Sequence, residues 1–267
     1  MKVACIQLSS GDNYNKNFNI IITYVEEALK KKADLVITPE TSSLITSDKK
    51  KLLQNSFYMN NDPLIAKIKE LSKKYKKWVL IGSLTIKVKK KLRNRSILIN
   101  SKGEIEKYYD KINMFDVIVS KKEKHFESKT FEAGKKITSA SLPWGNLGFS
   151  ICYDLRFPEL YRKLSKRNLS FIAVPSAFTK ITGQKHWIAL LKARAIENFC
   201  YIFAPNQTGK NTYKRETFGH SVIISPDGKI LKIKKKGTGI IYSKISPNLS
   251  LSLRKIIPSL LSKKYIL

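Results

Sequence analysis

Residues 146–161 read NLGFSICYDLRFPELY and combine a strand, a cysteine and a helix start within one short stretch. Residues 147–151 predict the strand, Cys152 stands where the strand must end, and Pro158 suits the first turn of a helix. A cysteine at such a turn holds its sulfur outside the sheet, near backbone N–H groups that stabilise a thiolate or an oxyanion. Free cysteines are more commonly small buried hydrophobes. The boundary position nevertheless makes Cys152 a candidate nucleophile.

The chain around this stretch alternates between predicted strands and helices. Residues 3–8 predict a buried strand, and residues 15–30 place their apolar side chains at helical spacing. Residues 117–135 form a long polar loop, of a kind that is often functional. This alternation predicts layered α/β architecture in one domain over residues 1–267, with a C-terminal arm from about residue 245. The further predicted strands are 34–37, 78–84, 95–100, 105–109, 170–174, 201–205, 218–224, 229–233 and 240–245, and the further predicted helices are 63–75, 158–167 and 183–199.

The formal net charge of +31 requires an explanation. Basic surfaces bind nucleic-acid phosphates, but here the lysines are scattered and no recognisable nucleic-acid module accompanies them. Lysine, asparagine and isoleucine all use A/T-rich codons, so we interpret the charge as mutational bias, which a gene of balanced base composition would contradict. Retained arginines are then informative, because a planar guanidinium cannot be replaced by an ammonium. They stand at positions 93, 95, 156, 162, 167, 194, 215 and 254.

Apolar runs and cysteines indicate the compartment. No apolar run reaches the roughly 18 to 20 residues of a membrane-spanning helix, and the polar-flanked N-terminus does not resemble a signal peptide. Three widely spaced cysteines favour neither a disulfide framework nor a zinc site, and we expect a reducing, cytoplasmic setting. Cys5 and Cys200 fall within predicted strand regions, where we expect inert core thiols.

Two arrangements could activate Cys152. A cysteine–histidine pair is one, but no spacing selects among the three histidines, at positions 125, 186 and 220. The other is a carboxylate base with a lysine, for which Glu40 and Lys111 both stand at predicted strand ends. Composition and spacing leave both arrangements open.

Three segments carry a family pattern along the chain. They are Pro39-Glu40, then Tyr109-Asp110-Lys111 leading to Phe115-Asp116, and then residues 148–159 around Cys152. Any one of them would be a weak signal, whereas together and in this order they are highly specific. Over nearly its full length the chain resembles the nitrilase superfamily of carbon–nitrogen hydrolases.

This resemblance implies both a site and a fold. The site is a triad of Glu40 as general base, Lys111 as electrostatic stabiliser and Cys152 as nucleophile. A second family glutamate falls on Glu127, where it would orient the lysine and the incoming amide. The implied fold is a four-layer α-β-β-α sandwich, forming a homodimer or higher homo-oligomer through helices near the nucleophile. The resemblance implies no metal and no organic cofactor.

The implied reaction is a two-step acyl transfer. The thiolate of Cys152 attacks the amide carbonyl, and Lys111 with the backbone N–H of Tyr153 holds the oxyanion. The amine leaves, and water activated by the general base hydrolyses the thioester. Phe178 and Thr179 belong to a later motif, residues 174–179, and we expect them to be weaker substrate contacts.

Later stretches resemble the Nit amidase branch of the superfamily. They are residues 174–179 (VPSAFT), residues 182–197 and residues 218–221. The likeness implies hydrolysis of a small carboxylate-bearing amide, foremost deaminated glutathione, giving 2-oxoglutarate and Cys-Gly. The alternatives are omega-amidase action on 2-oxoglutaramate or another amidase reaction of the same branch. Omega-amidases tend to carry a Gly-Ala-Phe-Asn segment where this chain reads SAFT.

An anionic substrate makes an arginine near the pocket chemically reasonable. Arg156 and Arg194 are the candidates, although each could equally be a structural partner of Glu159 or Glu197. From a different class of protein, the alternative is a basic nucleic-acid-binding or interaction protein on an enzyme scaffold. The intact set of triad residues argues against that alternative, and we expect no membrane or nucleic-acid partner.

Two positions depart from the family pattern. Asn113 stands where relatives often carry histidine, which concerns loop packing more than chemistry. Residues 261–264 read LSKK where relatives continue with a basic run of histidine and arginine. The second departure concerns the oligomer contact rather than the triad.

Overall fold

The structure is a computed structural model that describes residues 1–121, 123–212 and 215–261. Within these ranges the helices are α1 (Tyr14–Lys30), α2 (Lys49–Gln54), α3 (Pro63–Tyr75), α4 (Pro158–Ser165), α5 (Lys180–Asn198) and α6 (Asn248–Ile256). The strands are β1 (Lys2–Gln7), β2 (Leu35–Ile37), β3 (Phe57–Tyr58), β4 (Trp78–Val88), β5 (Lys91–Ile99), β6 (Ile105–Asp110), β7 (Asp116–Ile118), β8 (Lys124–Phe126), β9 (Ser139–Leu142), β10 (Gly145–Phe149), β11 (Leu169–Ala173), β12 (Tyr201–Ala204), β13 (Thr208–Thr212), β14 (Arg215–Phe218), β15 (Ser221–Ile224), β16 (Ile230–Lys234) and β17 (Gly239–Lys244).

The strands form two large sheets and two hairpins. The first sheet has the order β17-β1-β2-β4-β5-β6, with β3 beside β4, and the second has the order β16-β15-β12-β11-β10-β9. β1, β2, β3 and β4 run parallel, as do β10, β11 and β12, while the other strands of the two sheets pair antiparallel with their neighbours. β13 pairs with β14, and β7 pairs with β8, as separate hairpins.

Apolar side chains cover both faces of the first sheet. In β1, Val3 and Cys5 pack in the core between the two sheets, whereas Ala4 and Ile6 pack in a second core on the outer face. Successive side chains of a strand point to opposite faces, so a strand covered on both sides must be apolar throughout. The first sheet is therefore a buried layer.

Helices cover the outer face of each sheet. Ile21 of α1 and Ile68 of α3 pack against the outer face of the first sheet, and Tyr161 of α4 and Trp187 of α5 belong to the core of the second. The layers follow the order helix, sheet, sheet, helix. This arrangement confirms the four-layer α-β-β-α sandwich expected from the sequence.

Local signals explain why α3 agrees at both ends with its prediction. The Asp62 side chain accepts hydrogen bonds from the N–H groups of Leu64 (2.9 Å) and Ile65 (3.1 Å), and Pro63 occupies the first turn. Lys76 ends the helix in the left-handed conformation. Start and stop are thus both encoded within the helix and its flanking residues.

Several predicted boundaries require correction. The polar loop predicted over residues 117–135 contains the β7–β8 hairpin and a 3-10 turn at Glu127–Lys129. The strand predicted over 218–224 is two strands, because Gly219 and His220 both adopt positive φ and break it between β14 and β15. α5 begins at Lys180, three residues before the predicted start at 183.

The C-terminal segment is partly helical. α6 packs on the body of the protein through buried Ser250 and through Arg254, which donates to the carbonyl of Asn198 at 3.0 Å. The remainder of the predicted arm, residues 262–267, lies outside the described residues, as does most of the 261–264 departure. In the described part of the chain, no helix is long and apolar enough to cross a membrane.

Candidate active site

Four chain segments meet where strands of the two sheets end. Glu40 follows β2, Lys111 follows β6 directly, Cys152 follows β10, and Ala177 follows β11. β2 runs parallel to β4, β5 runs antiparallel to β4, and β6 runs antiparallel to β5, so β6 has the same direction as β2. Carboxyl ends of parallel strands are where open α/β sheets place binding groups. The topology therefore collects these residues at one end of the sandwich.

Cys152 stands on a sharp turn. Its φ of +48° is a left-handed value that non-glycine residues rarely adopt, at a cost of roughly 1–3 kcal/mol. Its N–H donates to the carbonyl of Pro175 at 3.0 Å, and a 3-10 turn runs from Cys152 to Arg156. The turn places the thiol just beyond the carboxyl end of β10, where the cysteine is 6% exposed.

A buried carboxylate holds this turn in place. Asp154 Oδ2 accepts from the N–H of Ile151 (2.9 Å) and the hydroxyl of Tyr109 (2.8 Å). Its Oδ1 accepts from the backbone N–H (3.0 Å) and side-chain Nδ2 (2.8 Å) of Asn113. Asp154 therefore ties the Cys152 turn to the segment that follows Lys111, and Asn113 supplies two of the four donors.

Lys111 lies between two glutamates. Its Nζ donates to Glu40 Oε1 at 2.9 Å and to Glu127 Oε2 at 2.7 Å, and its side chain is 2% exposed. Asn94 bridges the same carboxylates, since its Nδ2 lies 3.0 Å from an oxygen of each. The N–H of Phe115 also donates to Glu127, at 2.7 Å. A buried ammonium is thus paired twice, which buried charges require.

Glu40 connects this cluster to the thiol. Its Oε2 accepts from the N–H of Ala177 at 2.8 Å, and its negative charge acts on the neighbouring Cys152 thiol. Burial raises the pKa of Glu40, but the positive charges of Lys111 and Arg215 outweigh burial and hold that pKa below its ordinary value. Glu40 is accordingly a carboxylate at neutral pH.

The thiol and the ammonium shift in the opposite direction. Burial, and then the negative charge of Glu40, raises the pKa of Cys152 above its ordinary value, against a lowering by Lys111. Burial lowers the pKa of Lys111, but the charges of Glu127 and Glu40 more than compensate and raise it. The resting site therefore holds a neutral thiol beside a carboxylate and an ammonium that pair with each other.

A cavity of about 440 Å³ opens over the cluster. Its floor contains Cys152 and the charged groups, and its wall includes strand β8 and one arginine, Arg215. That volume lies within the range of small-molecule sites. The other lining residues are Thr41, Ile45, Thr46, Ser47, Asn94, Phe115, Glu123, Lys124, His125, Phe126, Thr130, Phe131 and Thr212.

The weaker candidates divide into two groups. Tyr153, Phe178 and Thr179 line a small recess next to Cys152, whereas Arg156 lines neither the recess nor the cavity. Its guanidinium lies 5.3 Å from the centre of the Phe178 ring and contacts His186 Nδ1 at 3.3 Å. Tyr153, Phe178 and Thr179 therefore lie near the thiol, as the sequence predicted for substrate contacts. Arg156 does not line either space.

Arg194 has a structural role. It is buried, and it donates to the carbonyl of Leu155 at 3.1 Å and to Glu197 at 2.8 Å. The alternative reading of this arginine, as a partner of Glu197, is the one that the geometry bears out. Arg194 supports the end of the Cys152 turn and does not reach the cavity.

The histidines have other partners in the described structure. His125 lines the cavity but lies 2.9 Å from Glu123 and packs on Phe115, and His220 contacts the carbonyl of Phe218 at 2.9 Å. Among the described residues, no contact joins a histidine to Cys152, and no cluster of histidine, cysteine, aspartate and glutamate has a metal-binding form. The carboxylate–lysine arrangement is the one that the fold assembles.

Two residues of the site were not found from the sequence. Asn94 lies one residue before the strand predicted at 95–100, in a stretch of lysines and arginines, and no motif or spacing marked it as a site residue. Arg215 belonged to the short list of retained arginines, which was the available signal. Nothing in the sequence spacing indicated that the β13–β14 hairpin places Arg215 on the same cavity as Glu40.

Comparison with known proteins places this fold and site in a family. A family model described as carbon-nitrogen hydrolase matches residues 2–255. The chain belongs to the carbon–nitrogen hydrolase family. The resemblance inferred from the three motif segments is thereby confirmed.

Individual relatives are similar over most of the chain. The deaminated glutathione amidase of Yersinia enterocolitica is 36% identical over 252 residues, covering 89% of this chain and 87% of the relative. The deaminated glutathione amidase of Synechocystis is 35% identical over 268 residues, covering 98% of each. The crystal structure of the C. elegans NitFhit protein has a TM-score of 0.89 at 32% identity, covering 96% of this chain, which spans 63% of that protein.

Proposed function

We propose that this protein is an amidase that hydrolyses deaminated glutathione through a thioester on Cys152. Two relatives that bear this activity in their names are similar over most of the chain. The observation that carries the proposal is that Cys152, Glu40 and Lys111 line one cavity, where Lys111 donates to Glu40 at 2.9 Å. A thiol, a base and a fixed cation within one contact network suit acyl transfer.

The first step forms the acyl-enzyme. Because the free site holds Glu40 ionised and Cys152 neutral, the thiol passes its proton to Glu40 as its sulfur attacks the amide carbon. The S–C bond forms, and the carbonyl electron pair moves to oxygen. When the tetrahedral intermediate collapses, the C–N bond breaks and Glu40 returns the proton to the leaving amine, Cys-Gly.

Lys111 stabilises the negative charge on oxygen. An ammonium has three N–H donors, and Glu40 and Glu127 accept two of them. The third donates to the oxyanion, together with the backbone N–H of Tyr153, which is the next residue after the nucleophile. Since Lys111 is fixed by two carboxylates before substrate arrives, little reorganisation is needed in the transition state.

The second step releases the acid. Water occupies the position that the amine has left, Glu40 takes its proton, and the resulting hydroxide attacks the thioester carbon. The S–C bond breaks, the sulfur regains a proton from Glu40, and 2-oxoglutarate leaves as the acid product. Glu127 and Asn94 hold the side chains of Lys111 and Glu40 in position through both steps, because Glu127 accepts from Lys111 and Asn94 donates to Glu40.

Steady-state turnover tests the proposal. We expect release of Cys-Gly from deaminated glutathione with wild-type protein and none with Cys152→Ala, while 2-oxoglutaramate and simple amides serve as comparison substrates. Turnover confined to 2-oxoglutaramate would assign omega-amidase activity instead. The two substrates share the 2-oxoglutaryl group, so the comparison distinguishes them by their leaving amine alone. A folded protein without activity on any amide would contradict the proposal and favour the binding-protein alternative.

Two further properties stay predictions from the sequence. We propose that the protein forms a homodimer or higher homo-oligomer, which the family resemblance supports, and that it works in the cytoplasm, which the cysteine pattern supports. Light scattering of the purified protein and localisation of a tagged protein would test the two predictions separately.

A further inference from the structure

We propose that Arg215 binds a carboxylate of the substrate's acyl group and so selects anionic amides over neutral ones. The proposal rests on the proposed amidase function and deepens it, because it assigns the group that recognises the acyl portion. Arg215 is the only arginine that lines the described cavity above Cys152. A guanidinium is the side chain best matched in shape and charge to a carboxylate.

The contacts of Arg215 leave its fork incompletely used. Its Nη2 donates to the carbonyl of Ala177 at 2.8 Å, whereas its Nε is buried and has no hydrogen-bond partner among the described residues. A guanidinium carries five N–H donors, and a buried donor without an acceptor is costly. Because Arg215 lines the cavity, a bound carboxylate would accept from the Nη donors of the guanidinium that no described residue uses.

The charge of Arg215 is also unpaired within the described chain. Arg93, Arg95 and Arg194 each form an ion pair, with Glu132, Asp110 and Glu197 respectively. Among the described ion pairs, none includes Arg215. Around the cavity, Lys111 forms ion pairs with both Glu40 and Glu127, and the positive charge of Arg215 also acts on Glu40 without an ion-pair contact. Arg215 is therefore a partly buried cation with no carboxylate in ion-pair contact among the described residues, and the carboxylate of a bound substrate can take that place.

The position of Arg215 suits an acyl group with a carboxylate a few bonds from the scissile carbonyl. Ala177 accepts from Arg215 through its carbonyl and donates to Glu40 through its N–H, so the guanidinium and the general base lie on opposite sides of one residue. A carboxylate held there places the chain of a 2-oxoglutaryl group across the cavity floor towards Cys152. Deaminated glutathione and 2-oxoglutaramate share that group.

The part of β14 that follows Arg215 is held by hydrogen bonds and packing. Thr217 of the same strand donates to Asn211 at 2.6 Å, and Asn211 donates to the carbonyl of Ser10 at 3.0 Å. Phe218 contacts α5 closely, because a Cβ added at Gly183 would lie 2.5 Å from it. A preorganised arginine loses less conformational freedom on binding than a mobile surface lysine would.

Binding of 2-oxoglutarate provides a test that does not depend on turnover. We would compare wild type, Arg215→Met, Arg215→Lys and Lys210→Met by titration calorimetry; Lys210 is an exposed cation on β13, the partner strand of β14, and lies outside the cavity lining. Arg215→Met should weaken binding about 100-fold, as expected for the loss of a charge-assisted fork. Arg215→Lys should recover part of the loss, and Lys210→Met should bind like wild type.

Turnover of a matched substrate pair separates recognition from chemistry. For 2-oxoglutaramate, Arg215→Met should raise KM with a smaller change in kcat, while kcat/KM for the neutral amide pentanamide, compared for both proteins on the pH plateau above the acid limb, should fall much less than kcat/KM for 2-oxoglutaramate. Equal losses on both amides, or unchanged 2-oxoglutarate affinity, would overturn the role of Arg215 and leave the amidase function intact. Absence of turnover by wild type on every amide would instead overturn the amidase function.

Discussion

As the proposed general base, Glu40 is expected to set, through its pKa, how activity responds to acid. Burial raises this pKa, but the charges of Lys111 and Arg215 lower it further than burial raises it, so the carboxylate keeps its charge into mildly acidic solution. The acid limb of kcat/KM for a neutral amide should therefore lie below the ordinary pKa of a glutamate. Arg215→Met removes one positive neighbour, so the pKa rises and the limb moves to higher pH. An acid limb that stays in place in this variant would contradict the assignment of Glu40 as the base.

Asn94 is expected to support catalysis without touching the thiol. The variant Asn94→Leu keeps the size of the side chain but removes the hydrogen bonds to Glu40 and Glu127. A hydrogen bond to a charged group contributes about 1.5–3 kcal/mol, so kcat should fall roughly 10- to 150-fold. Asn100→Leu, just past the far end of β5, is the matched control and should retain wild-type kcat. If both variants behave alike, Asn94 does not position the carboxylates.

Sequence reasoning reached some residues of the site and missed others for physical reasons. Cys152, Glu40 and Lys111 stand at strand ends and belong to motifs, so local pattern and resemblance were sufficient to name them. Asn94 and Arg215 act through partners far away in the chain, across the sheet and through a hairpin. Their chemistry depends on tertiary distances, which spacing in the sequence does not encode.

At the scale of elements, the approach of α5 to β14 connects packing with substrate recognition. Gly183 lies where a Cβ would stand 2.5 Å from the Cβ and Cγ of Phe218. Gly183→Ala should cost about 1–3 kcal/mol of stability through overpacking. Because Phe218 shares β14 with Arg215, KM for 2-oxoglutaramate should also rise. Chemical denaturation and steady-state kinetics measure the two effects.

Gly11→Ala is the control for this substitution. A Cβ at Gly11 would meet only the carbonyl of Asn211, at 3.5 Å, which is an ordinary contact. We expect stability and KM close to those of wild type. Should Gly183→Ala lose stability without any change in KM, the strand would position Phe218 but not Arg215.

Elements with strong local signals were predicted well, and those without were not. α3 has a capping aspartate, a proline and apolar residues on one face, and its predicted range of 63–75 is the observed one. The β7–β8 hairpin is short, polar and half exposed, so it lacked the alternation that reveals a strand. The break at Gly219 and His220 was hidden within residues that favour β structure.

For the whole molecule, the four-layer order was predicted from resemblance and is confirmed by the two sheets and their covering helices. Alternation of strands and helices predicted α/β layers by itself. The order of strands, with β17 beside β1 and β9 at an outer edge, depends on pairings between distant segments. Such pairings are set by the packing of complete sheets, and local pattern does not determine them.

The net charge of +31 predicts how stability depends on salt. The chain has 51 lysines and arginines against 20 acids, so repulsion between like charges opposes the compact state. Salt screens exposed charges over about 10 Å at 0.1 M, whereas the buried pairs around Lys111 are screened much less. The melting temperature should therefore rise with moderate NaCl concentration. A fall over that range would indicate that surface ion pairs stabilise the fold more than repulsion weakens it.

The central claim is that Cys152 carries the acyl group, and the most direct measurement is the intact mass of enzyme quenched in acid during turnover of deaminated glutathione. We predict an adduct with the mass of a 2-oxoglutaryl thioester, which maps to the peptide containing Cys152 and is removed by hydroxylamine. Cys152→Ala should show no adduct. An unmodified enzyme throughout turnover, or an adduct on Cys5 or Cys200, would contradict the claim.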